Sequence, residues 1–291
     1  MTCCADIVER LAGQPVCGYH ADSVAASEPT ALTALALLAW DRRETAATAL
    51  DWLARIQADA GSVGVTADSP QPRWPTALAV MAWQAADTAI YRNAIHRATD
   101  WILGTHSNTF PQPPELGHDT TIMAWPWVAE THGWVEPTAM HVLALKCIGQ
   151  TDHPRTRSGV GMLKDRLLPT GGCNAGNTVV LGGMQRPHLM PTGLALLALA
   201  GESDEDAPIA AALDYAAREA VTCRAPASLC YAAMALQAHG RPLPAVESLV
   251  CAAVRRHRSR GPSPYPLALA ALALAAEANP LVAMPLTGNK S

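Results

Sequence analysis

Apolar residues fill six short stretches of this chain almost without a break, and the stretches between them mix apolar with charged positions. Segments 30–40 and 191–200 are apolar nearly all round, so helices there need cover on every side. Segment 43–57 instead spaces Ala46, Ala47, Leu50, Leu53, Ala54 and Ile56 among charges, and 92–103, 155–168, 206–221 and 245–258 are mixed in the same way. That is the pattern of one-sided, amphipathic helices. Two helix classes alternating along the sequence predict two layers, with buried helices inside and amphipathic helices outside, joined as antiparallel hairpins.

A proline opens each apolar stretch. The starts read Glu28-Pro29-Thr30-Ala31-Leu32, Trp74-Pro75-Thr76-Ala77-Leu78, Glu136-Pro137-Thr138-Ala139-Met140, Met190-Pro191-Thr192-Gly193-Leu194, Ala225-Pro226-Ala227-Ser228-Leu229 and Tyr265-Pro266-Leu267-Ala268-Leu269. Proline suits the first helical position, where its missing N–H has no partner to lose. The prolines lie 46, 62, 54, 35 and 40 residues apart, which is repeat spacing with insertions. The expected architecture is an all-α, α6/α6 toroid formed as a single domain over residues 1–291. Residues 1–20 supply a closing N-terminal helix, and 279–291 form a tail too short for a sixth outer helix.

The resemblance is to the squalene-cyclase-like repeat proteins of the terpenoid cyclase and protein prenyltransferase superfamily. It is carried by the Pro-Thr-Ala-Leu starts and by Ala49-Leu50-x-x-Leu53-x-x-x-Gln57 followed by Asp59-Ala60-Gly61-Ser62-Val63-Gly64. This stretch is similar to the Gln-Trp repeat, with Val63 at the Trp position. A second copy runs over 159–167 and continues into Gly171-Gly172-Cys173-Asn174-Ala175-Gly176-Asn177, with Cys173 at that position. The resemblance implies an apolar lumen and acid–base chemistry on an apolar, isoprenoid-class substrate. The superfamily's Asp-x-Asp-Asp acid is absent, and Leu116-Gly117-His118-Asp119-Thr120-Thr121 is the nearest stretch.

Asp119 is therefore the expected catalytic acid or base, assisted by His118, and a helix N-cap is its structural alternative. Trp125, Trp127 and Trp134 form the densest aromatic cluster and would shape the pocket, by cation–π contact or simply by packing. Glu136 and His141 flank the same region as substrate-binding candidates, and His132 lies nearby. Asn174 and Asn177 are further binding candidates in a loop whose Gly and Asn content also suits a turn. No cofactor is expected. The resemblance to zinc-bearing relatives makes Asp119, Cys173 and His188 an alternative zinc set. A non-catalytic lipid- or peptide-binding toroid and a zinc-dependent transferase or cyclase are the competing functions.

Composition adds three constraints. The chain has eight Trp but one Phe, and 49% hydrophobic residues, so a large core is available and broad rings are reserved for particular places. The net charge of −4 gives no reason to expect nucleic acid, while a hydrophobic partner leaves peripheral membrane contact open. The basic run Arg255, Arg256, His257, Arg258 and Arg260 reads as a solvated helix end. Eight cysteines show no Cys-x-x-Cys spacing, which predicts a reduced, cytoplasmic protein.

Overall fold

The computed structural model describes residues 3–86, 88–203, 206–258 and 263–287. The expectations for residues 1 and 2, Arg260 and 288–291 lie outside them. In chain order the helices are α1 (Cys3–Gly13), α2 (Ser27–Ala39), α3 (Arg43–Arg55), α4 (Thr76–Ala85), α5 (Thr88–Gly104), α6 (Val135–Cys147) and α7 (Pro154–Asp165). They continue with α8 (Leu189–Leu199), α9 (Ala207–Thr222), α10 (Pro226–Ala238), α11 (Val246–Arg258), α12 (Pro264–Leu274) and α13 (Pro280–Thr287). Two short strands, Val179–Val180 and Gly183–Met184, pair as an antiparallel hairpin. The protein is all-helical in every other regular element described.

The two expected helix classes are present. Every residue of α6 is buried, whereas α3 buries Ala46, Ala49, Leu50, Trp52 and Leu53 and turns its charges outward. The buried helices pack in succession, α2 on α4, α4 on α6, α6 on α8, α8 on α10, α10 on α12, and α12 again on α2. The amphipathic helices α3, α5, α7, α9 and α11 each cover the buried helix that precedes them, and α1 lies against α12 and α2. Pro29, Pro137, Pro191 and Pro266 are third residues of their helices, Pro226 is a first residue, and Pro75 immediately precedes α4. All six fall where backbone N–H groups lack intrahelical acceptors, so proline costs nothing there.

The threonine that follows the proline in four repeats has a shared task. Its hydroxyl oxygen accepts the backbone N–H of one loop residue and lies within donating distance of the same residue's carbonyl. Thr30 holds Cys17 in this way (3.2 and 3.0 Å), Thr76 holds Val63 (2.8 and 3.3 Å), Thr138 holds Trp125 (3.2 and 3.3 Å) and Thr192 holds Cys173 (2.9 and 3.1 Å). All four threonines are fully buried, so each clamp satisfies backbone groups that water does not reach. Upstream, Gly61 and Gly171 adopt φ of +91° and +88° and press against the next amphipathic helix. A Cβ on Gly61 would meet the Arg97 carbonyl at 2.1 Å, which excludes any larger residue.

The chain's two ends differ from expectation. The tail forms α13, which packs against α4, α6, α8 and α10 with Leu281 and Val282 buried. Cys3 and Cys251 form a disulfide linking α1 to α11, so the reading of all eight thiols as reduced does not hold. No helix among the described residues is long and apolar enough to cross a membrane.

Thr138→Val removes both hydrogen bonds to buried Trp125 backbone and strands its N–H, while the carbonyl keeps the Trp134 N–H (3.2 Å). Urea denaturation should show a loss of about 1–3 kcal/mol for the one unsatisfied group, with Thr138→Ser recovering most of it.

Candidate active site

The residue before each helix-opening proline occupies the same place in every repeat. In two repeats it is a glutamate, and both are buried: Glu28 is 8% and Glu136 is 9% exposed. Tyr265 holds that place on α12 and Trp74 holds it ahead of α4. The Glu28 carboxylate accepts a short hydrogen bond from the Tyr19 hydroxyl, and the Tyr19 and Tyr265 rings lie 5.8 Å apart. Burial pushes the Glu28 carboxyl up to about 7, against the opposing effect of the Tyr19 bond. Burial likewise raises Glu136, whose Oε2 is buried without a hydrogen-bond partner.

Tyr265 and Tyr231 complete the cluster. Both hydroxyls are held well above the ordinary tyrosine range, chiefly by burial, and Glu28 adds to the effect on each. Tyr265 on α12 also feels Glu136 on α6, although α6 and α12 are not neighbours in the packing succession. The Tyr19 hydroxyl bond and the Tyr19–Tyr265 ring contact place the desolvated Glu28 carboxyl among tyrosines, an environment suited to giving and taking protons near neutral pH. A cleft of about 790 Å³ opens beside the cluster, and Tyr19 and Tyr265 contribute to its wall.

The insertion between α5 and α6 holds most of the residues expected from sequence, in a different role. Asp119 lies at the surface, where its carboxylate accepts from the Thr121 N–H (2.8 Å) and hydroxyl (2.6 Å). Those bonds lower its pKa, the opposite of the desolvated acid that protonating carbon requires. The carboxylate serves a tight turn instead, and because no helix begins between Gly104 and Val135 it is not the helix N-cap of the alternative reading either. His118 is buried beside Thr178, with Nδ1 3.4 Å from its hydroxyl, and burial followed by the Arg166 charge lowers its pKa. His118, His132, Trp134, Arg166 and Asn177 share a small cavity of about 240 Å³. His132 and Trp134 lie ring against ring at 4.4 Å.

The remaining candidates disperse. Trp125 is fully buried, donates to the Ile102 carbonyl (3.0 Å), stacks on His141 at 5.3 Å and carries the Arg155 guanidinium 4.1 Å from its ring centre. It is core. His141 is held neutral by burial, which pushes its pKa down to about 4. Its Nδ1 bonds the Pro137 carbonyl at 2.6 Å. Trp127 meets Trp74 edge-on at 5.0 Å, which ties the insertion to the Glu28 and Glu136 register. Asn174 folds its own loop, accepting from the Gly176 and Asn177 N–H groups (both 2.9 Å).

The alternative zinc set is not assembled. Cys173 is fully buried and its thiol is pushed up to about 12, whereas His188 is exposed and Asp119 faces the Thr121 turn. Among the described residues no three His, Cys, Asp or Glu side chains are placed to hold a metal ion.

Sequence reasoning named Glu136 but missed Glu28, Tyr19, Tyr231 and Tyr265. The signal was present, because Glu28-Pro29-Thr30-Ala31 and Glu136-Pro137-Thr138-Ala139 repeat one motif in one register.

No family model matches the chain, and no curated protein matches it. Among solved structures it is similar to the crystal structure of a protein from Actinoplanes, at 17% identity and a TM-score of 0.55, covering 89% of this chain and 81% of that one. Likeness at that identity concerns the fold alone.

The raised Glu28 carboxyl has a thermodynamic consequence. Between its ordinary value of 4.5 and about 7 the folded state binds more protons than the unfolded state. Its contribution is fully present below about pH 4.5 and is lost as pH rises to about 7, by about 3 kcal/mol in all. Paired urea titrations at pH 5 and pH 8 should show Glu28→Gln abolishing that part of the decline.

Proposed function

We propose that the buried helices line an α6/α6 toroid, with the amphipathic helices and α1 outside it, and that the protein is a terpenoid-cyclase-like enzyme. It would act by acid–base chemistry on an apolar, isoprenoid-class substrate. The packing succession that returns from α12 to α2 supports the toroid. The observation that carries the chemistry is the buried Glu28 carboxyl, raised to about 7 and bonded by Tyr19, whose ring meets that of Tyr265.

An acid of that strength favours an epoxide or an activated double bond over an isolated alkene. Neutral Glu28 gives its proton to the substrate, and the electron pair of the ruptured bond moves onto the protonated atom or into the new bond. Positive charge left on carbon is stabilised by the tyrosine rings and by Trp74 and Trp127, at about 0.5–2 kcal/mol per well-placed ring. Glu136, with its unpartnered Oε2, takes a proton from carbon and closes the sequence as a net isomerisation.

One observation favours the second reading, a non-catalytic lipid- or peptide-binding toroid. Helix α13 packs on four of the buried helices at once and so takes up space that a substrate would use.

A panel of acyclic isoprenoid epoxides and activated alkenes, incubated with the protein and extracted for gas chromatography–mass spectrometry, decides between them. The expected product is an isomer of unchanged mass. Glu28→Gln should slow its formation at least about a hundredfold, and Asp119→Asn should leave it within about twofold. A co-purifying hydrophobic ligand in native mass spectrometry, with no isomer from any substrate, would establish the binding reading instead.

A further inference from the structure

The cleft beside the Glu28 cluster has an electrostatic character that the acid–base reading does not use. Its volume of about 790 Å³ falls within the usual range for small-molecule sites. Four cationic or basic side chains line it, His20, Arg224, Arg256 and His257, and among the described residues no carboxylate does. They come from the loop after Cys17, the end of α9 and the end of α11, so separate elements bring the same sign of charge to one concavity. The first turns of α10 and α12 also border it, through Pro226 and Pro266, and the positive ends of these helices add to the field. The floor is different. Tyr19 and Tyr265 present rings there, and the Tyr19 hydroxyl reaches down to Glu28. The basic run read from sequence as a solvated helix end therefore contributes Arg256 and His257 to a concave site.

We propose that this cleft binds the anionic head of an amphiphile, a phosphate or carboxylate, with the apolar chain lying over the Tyr19 and Tyr265 rings above Glu28. Arg224 and Arg256 supply the charge that holds the head. Pro226, Pro266 and the two tyrosine rings supply the apolar surface that rewards the chain. The proposal deepens the acid–base reading by naming the class of its substrate, and the binding itself does not depend on turnover.

Isothermal titration with n-octyl phosphate, octanoate, octanol and inorganic phosphate tests it, all below their aggregation concentrations. Saturable binding of octyl phosphate or octanoate is expected, with octanol and inorganic phosphate at least about tenfold weaker. A preference between the two anions separates a phosphate head from a carboxylate one. The Arg224→Gln/Arg256→Gln double variant should weaken binding about tenfold or more while its circular dichroism stays that of a folded helical protein, and Arg224→Gln alone should fall between. Octanol binding as tightly as the anions overturns the proposal, as does an unchanged affinity in the double variant or no saturable binding by either anion. Anion binding that persists with no turnover of any substrate leaves this site standing and removes the catalytic reading. Turnover without anion binding does the reverse.

Discussion

Four buried threonine hydroxyls hold the loops of this protein to its helices. Thr30, Thr76, Thr138 and Thr192 each engage both backbone polar groups of a single residue, Cys17, Val63, Trp125 or Cys173. A segment arriving from outside must bury its peptide groups as it dives toward a buried helix, and unpaired peptide groups are expensive there. One side chain meets that need and fixes where the loop crosses. The residue before the proline, two positions from the clamping threonine, is carried to the same place in each of these four repeats. Glu28 and Glu136 are consequently placed by backbone bonding in their neighbours, and Glu28 also by the bond it accepts from Tyr19. The last two repeats carry Ala227 and Leu267 where the others have threonine.

The helices were legible because their periodicities are extreme. Segments apolar on all sides and segments apolar on one side cannot exchange places without stranding charge or exposing leucine. The repeat motif also located the loop residues Val63 and Cys173, which the structure places in the same clamp as Trp125. What periodicity could not convey was which of the polar residues would lose contact with water. Asp119 and Glu28 are both carboxylates in motifs that read as helix starts, although no helix begins at Asp119. The first lies in a turn that supplies two donors at the surface, and the second lies under a tyrosine in an apolar surround. Asp119 is lowered by donors two residues along the chain, whereas Glu28 is raised by burial that only the packed helices create. The Cys3–Cys251 bond was hidden for the same reason, since 248 residues separate its partners.

Desolvation also explains why the insertion looked more functional than the helix starts. His118, Trp125, Trp127 and Trp134 cluster in sequence, and the structure spends them separately. Trp125 fills the space between α5, α6 and α7 beneath Arg155, with its indole donor committed to Ile102, and His141 is a stacked, neutral ring against it. Trp127 alone reaches the Glu28 and Glu136 register, through Trp74. A dense local run of aromatic and titratable residues was therefore mostly scaffolding, whereas the buried carboxyls came from positions scattered across the chain.

The long insertion is tied down at both of its ends. The Ser107 amide bonds the Ala124 carbonyl, its hydroxyl accepts from the Ala124 amide, and Thr138 grips Trp125 one residue later. Between these anchors the loop is also fastened on its far side, His118 to Thr178 and Asp119 to Asp165 and Arg166. Evolution, or an engineer, has freedom only at the exposed tip around Gln112 and Glu115, which makes that tip the natural port for grafting a foreign recognition sequence.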